Sequence, residues 1–97
     1  MKFRKKPVVI DAWPVRDLYR AACGNWGALP ESVRNAYEIG GWVFTDEGIY
    51  VPTLEGSMLA RMGDWLLRGV AGEFYPCKPD IFEATYEAVA ELGKEGK

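Results

Sequence analysis

Trp65, Arg68, Glu73, Tyr75 and Lys78 gather within residues 63–80 and are the side chains of this chain best suited to hold a ligand or partner. Two aromatic rings with cations beside them make a floor with a charged rim. Such an arrangement suits a planar or anionic ligand, because rings stack and a desolvated cation neutralises a phosphate or carboxylate. Trp65, Phe74 and Tyr75 also have a plainer reading as core. If residues 69–72 form a four-residue turn, Arg68 and Glu73 face each other as a cross-strand ion pair. That register sets Leu66 opposite Tyr75 on one face and Leu67 opposite Phe74 on the other. Apolar residues on both faces call for a strand covered on both sides, or covered on one and sticky on the other.

Other chemistries are thinly supplied. The chain has no histidine, so the usual general base near neutral pH and the commonest metal ligand are both missing. Serine–histidine and cysteine–histidine nucleophiles and the HExxH zinc helix are thereby excluded. Cys23 and Cys77 cannot close a structural zinc site by themselves, and they form no CxxC pair. Reduced thiols are the expectation. Asp46, Glu47 and Gly48 lack the alternating acids of a calcium loop, and neither glycine-rich phosphate signature occurs. The expectation is a protein that is not an enzyme, with no metal and no cofactor.

The elements that must position these residues follow from patterning. Residues 7–13 are β-branched and aromatic and end at Pro14, which reads as a first strand. Leu18, Ala21 and Ala22 have helical spacing within 17–23, with Gly24 suited to the position just past the helix. A loop over 25–29 leads to Pro30, which opens a second short helix carrying Val33, Ala36 and Tyr37 on one face. Strand signals follow at 42–45, 49–51, 57–61, 65–68 and 73–76, separated by turns at 46–48, 55–56, 63–64 and 69–72. Five short strands in a meander curl into a twisted antiparallel sheet or partial barrel, with Trp13 packed against it. Residues 80–92 read as a helix, with Asp80 and Glu83 at capping-box spacing and Phe82, Tyr86, Val89 and Leu92 along one side. The alternative is a helical turn followed by an extended 85–89 segment at a sheet edge. The fold class is therefore α+β: five to six short strands, two to three short helices, one domain over 1–97 and a frayed tail at 93–97.

Composition bounds the partners. With 12 Lys and Arg against 14 Asp and Glu, the formal charge is −2, which disfavours general binding to nucleic acid. Lys2, Arg4, Lys5 and Lys6 make a basic start, and Glu83, Glu87, Glu91 and Glu95 an acidic end. The apolar stretch at 8–10 meets Asp11 at once, too short for a secretory signal, and no run approaches the ~20 apolar residues of a membrane span. A cytoplasmic protein is expected.

Three stretches carry a resemblance. Residues 1–12 (MKFRKKPVVIDA), then Pro52, Thr53, Leu54, Glu55 and Gly56, then 63–86, beginning Gly63, Asp64, Trp65, resemble a widespread family of small phage and prophage proteins. Similar sequences have proline where this one has Met62, and residues 26–41 have no counterpart in the pattern. The resemblance implies a phage or prophage origin and a cytoplasmic setting, and it brings no assigned function and no catalytic residues. The functional expectation is a non-catalytic accessory protein that binds a host protein. The alternatives are a binder of a small nucleotide-like ligand, held on Trp65 or Tyr75 with Arg68 or Lys78 on its phosphate, and a minor virion component.

Overall fold

The computed structural model describes residues 1–2 and 9–86. β1 (Asp11–Pro14) runs straight into α1 (Val15–Gly24). The helix starts two residues earlier than its apolar spacing implies. Pro14, at φ −63°, already has a helix-compatible φ, and the Val15 N–H, an orphan donor of the first turn, donates to the Asp64 carbonyl at 3.0 Å. A partner distant in the chain thus does what a capping side chain does elsewhere. Gly24 is the last helical residue rather than the one beyond it, and the chain leaves through Asn25. A 3₁₀ turn, Trp26–Ala28, occupies the expected loop, and the Arg34 guanidinium donates to the Gly27 and Leu29 carbonyls (3.1 and 2.6 Å). α2 (Glu31–Ile39) follows Pro30 as expected and buries Val33.

Two hairpins come next. β2 (Val43–Thr45), β3 (Gly48–Thr53) and β4 (Gly56–Arg61) form one antiparallel sheet in the order β2-β3-β4. Both of its turns use one device. The Thr45 hydroxyl donates to the Gly48 carbonyl (3.1 Å) and accepts from the Glu47 N–H (3.2 Å). Thr53 repeats this with Gly56 and Glu55 at 2.7 and 3.1 Å. The common pattern is Thr-x-Glu-Gly, with two residues in each turn. Gly48 therefore belongs to the strand rather than to the turn, and a Cβ there would collide with the Ala60 carbonyl.

β5 (Trp65–Arg68) and β6 (Phe74–Cys77) do not continue this meander. They join β1 in a second three-stranded sheet, β1-β5-β6. The α+β class and six strands stand, divided between two sheets. The division is made at the corner between β4 and β5. There the Asp64 N–H donates to the Arg61 carbonyl (2.9 Å), the Asp64 carboxylate accepts the Arg61 N–H (3.0 Å), and the Asp64 carbonyl takes Val15. These groups tie the corner to α1, and β5 is delivered to β1, where Trp13 meets Leu66 across the ladder.

The core lies where α1, α2 and the two sheets meet: Val15, Leu18, Leu29, Val33, Trp42, Ile49, Val51, Ala60 and Leu66, edged by Trp13, Tyr19, Phe44 and Phe74. Trp13 stacks with Phe74, their centroids 6.3 Å apart. α3 (Pro79–Thr85) is short, and Tyr86 is already extended at φ −122° and ψ 153°. Of the two sequence readings for 80–92, the helical turn is the one observed up to Tyr86; Val89, Leu92, the 93–97 tail and residues 3–8 lie outside the described residues. Asp80 is not a cap. Lys78 holds that position, Pro79 opens the helix, and among the described residues the Asp80 carboxylate accepts only its neighbour Ile81 N–H (2.9 Å). Among the described residues no helix is long and apolar enough to cross a membrane.

Candidate functional site

The β5–β6 hairpin sets the geometry, and its register differs by one residue from the sequence expectation. Arg68 pairs with Phe74, Leu67 with Tyr75, Leu66 with Pro76 and Trp65 with Cys77. The reason is the turn. The Gly72 N–H donates to the Gly69 carbonyl (3.0 Å), the Gly69 N–H donates to the Glu73 carbonyl (2.8 Å), and Gly72 sits at φ +88°. This is a three-residue loop closed by a glycine bulge, so Glu73 pairs with Gly69 and not with Arg68. The expected Arg68–Glu73 ion pair does not form. Arg68 instead faces Asp11 across β1, with Nη1 3.8 Å from Oδ2. In this register Gly69 and Glu73 are a hydrogen-bonded pair, so alternation puts Pro76 at a non-bonded position. Its missing N–H falls on the outer edge of β6.

A one-residue slip exchanges faces. Leu66, Arg68, Phe74 and Pro76 share one face with Asp11 and Trp13; Trp65, Leu67, Tyr75 and Cys77 share the other with Ala12. The five sequence candidates are therefore not one cluster. Trp65 and Tyr75 share a face, but the Trp65 ring is covered by α3: Trp65 stacks on Phe82 (4.1 Å, 14°) and Phe82 on Tyr86 (5.4 Å). Burial, reinforced by the neighbouring Tyr86 hydroxyl and by the nearby Glu73 charge, pushes the Tyr75 hydroxyl up to about 12. The Trp65 ring is thus already engaged. Lys78 stands at the start of α3 with Nζ 4.0 Å from a carboxylate oxygen of Asp64, which is 6% exposed. Beside it, burial and then the charges of Asp64 and Asp80 raise the pKa of the Cys77 thiol. Cys23 and Cys77 are both free.

Space open to solvent lies on both sides of β6. Beside α3, a cavity of about 410 Å³ is lined by Met58, Asp64, Cys77, Lys78 and Ile81 among others. The Phe74 side holds three that adjoin one another. A cavity of about 370 Å³ is lined by Thr53, Leu54, Glu55, Met58, Glu73 and Phe74, with Tyr75 and Pro76 at its end. A second, of about 310 Å³, shares Thr53, Leu54, Glu73 and Phe74 with it and extends to Ile39 and Trp42. A third, of about 370 Å³, continues past Phe74 to Gly72, Arg68 and Glu31. Phe74 floors all three, which together make one groove between the tip of the β3–β4 hairpin, the 69–73 loop and α2. Leu54 and Ile39 stand on its rim, 89% and 88% exposed.

Glu73 has an unusual position on this groove. Its carboxylate folds back over Gly69, where a Cβ would come within 2.6 Å of the Glu73 Cδ. One carboxylate oxygen, Oε1, is closed off from solvent with no hydrogen-bond partner among the described residues. Among those residues no group of three or more metal-ligating side chains forms.

Of the sequence candidates, Arg68, Glu73 and Tyr75 border the groove, whereas Trp65 and Lys78 do not. Leu54, Met58 and Ile39 were not singled out by the sequence. A signal did exist for Leu54, which takes in the second Thr-x-Glu-Gly turn the place that Asp46 takes in the first. Comparison with protein-family models, curated proteins and solved structures finds no match for the chain.

Proposed function

We propose that this chain is a non-catalytic binding protein that seats a segment of another protein in the groove floored by Phe74. With the resemblance to small phage and prophage proteins, the proposal extends to an accessory protein that acts on a host protein in the cytoplasm. The observation that carries the reading is Leu54. A two-residue turn needs no leucine, as Asp46 in the sister turn demonstrates, and an apolar tip that is 89% exposed gains nothing from folding. It gains on burial against a partner, and it stands over Phe74 with Met58 and Ile39 nearby. The lack of histidine, and a carboxylate opposite both Arg68 and Lys78, support a site that holds rather than reacts.

Leu54→Asp tests this without touching the core. The melt of the variant should match the wild type. Short blocked peptides selected on the wild-type protein should lose at least about tenfold in affinity, the range expected for a buried anchor. Amide shifts on binding should cluster at 53–55 and 73–75. Unchanged affinity in Leu54→Asp, or shifts confined to Trp65 and α3, would refute the proposal, the latter in favour of a small ligand displacing Phe82.

A further inference from the structure

We infer that the segment seated in the groove carries an arginine or lysine, and that Glu73 is the residue that receives it. The inference rests on the groove being a protein-binding surface. Three features lead to it. First, the local cations are already matched: Arg68 faces Asp11 at 3.8 Å and Lys78 faces Asp64 at 4.0 Å. Second, the groove lining holds Glu31, Glu55 and Glu73 against Arg68 alone, so the unbalanced charge is negative. Third, Glu73 Oε1 is shut off from water with no donor among the described residues, a condition that carboxylates avoid because their lone pairs lose water without replacement. A side chain in that state gains on meeting a cation.

The surroundings allow the movement. The Glu73 carboxylate rests on Gly69, whose lack of a side chain leaves the space, and Glu73 lies on the boundary shared by two of the three cavities. Rotation about its side-chain bonds takes the carboxylate off Gly69 and into the groove without moving β6. A guanidinium meets a carboxylate with two parallel hydrogen bonds, while its aliphatic stem, and apolar residues on either side of it in the partner, lie along Leu54, Met58 and Phe74. This reverses the polarity expected from the sequence, in which Arg68 and Lys78 received an anion.

Three blocked pentapeptides with a central arginine, citrulline or glutamate between leucines serve as probes, titrated into the full chain and followed by amide shifts. Citrulline keeps the shape of arginine and removes its charge. The arginine peptide should bind about tenfold tighter than the citrulline peptide, a difference of ~1.4 kcal/mol. Its affinity should fall as salt is raised, while that of the citrulline peptide should not. The preference should collapse in Glu73→Gln and persist in Arg68→Ala, with the salt dependence on wild type serving as the readout if Glu73→Gln does not fold. Equal binding of arginine and citrulline peptides, tighter binding of the glutamate peptide, or a preference that survives Glu73→Gln would overturn the inference while leaving the groove as a binding surface. If no peptide shifts 53–55 and 73–75, the groove reading itself falls, and the inference with it.

Discussion

Replacing Asp64 should show how much of this fold hangs on one corner. Asp64 is 6% exposed, and its carboxylate accepts the Arg61 N–H at 3.0 Å while facing Lys78 at 4.0 Å. Asp64→Ala removes both interactions and strands a partly buried backbone donor. A stranded donor costs roughly 1–3 kcal/mol. The Lys78 contact adds less: Lys78 is 60% exposed, and a screened pair of this kind contributes at most about 1 kcal/mol. A total near 2 kcal/mol corresponds to a melting point lowered by roughly 8–16 °C for a domain of this size. Asp64→Asn separates the two parts, because its amide oxygen still accepts from Arg61 while the charge is gone; its loss should stay below about 1 kcal/mol. Lys78→Met should match Asp64→Asn, and the double variant should be no worse than either single one. Calorimetry at neutral pH and moderate salt reads all four variants beside the wild type. An Asp64→Asn melt as low as that of Asp64→Ala would show that charge, not the accepted hydrogen bond, holds the corner. An unchanged Asp64→Ala melt would refute the account of how β5 is turned toward β1.

Two further outcomes follow from the same geometry. Gly72→Ala forces a Cβ into a backbone at φ +88° and should cost roughly 1–2 kcal/mol, visible as a melting point lower by ~4–16 °C; a variant as stable as the wild type would mean that the 69–73 loop does not close on a glycine bulge. Tyr75 is pushed from an ordinary value of 10.0 up to about 12, so its neutral form is favoured by folding: that contribution is complete below about pH 10 and is lost as the pH rises toward 12. Absorbance of the phenolates during an alkaline titration should show one late-ionising tyrosine, absent in Tyr75→Phe; if the phenol lost in the variant is one that ionises near pH 10, the burial described is contradicted.

Local signals in the chain determined a good deal. Glycine-bounded turns, alternating apolar residues and Pro30 ahead of a helical stretch lead to six strands, two early helices and an α+β domain, because turn chemistry and periodicity act over a few residues and need no distant partner. The Thr-x-Glu-Gly turns, with Leu54 at the second tip, were equally legible in the letters. Register was not. Whether 69–72 closes as a four-residue turn or as three residues and a bulge differs by one hydrogen bond, and that one residue moves Arg68 and Tyr75 to opposite faces. The division into two sheets was also beyond local reading, since it depends on an Asp64 carbonyl meeting a Val15 N–H far back in the chain. The charge of the site was settled in the same way. Arg68 and Lys78 stand out in the sequence as cations, but folding sets Asp11 opposite the first and Asp64 beside the second, and it leaves Glu73 without a donor among the described residues. Residue types are written in the chain; which charges remain unmatched depends on which segments the tertiary structure brings within a few ångströms of one another.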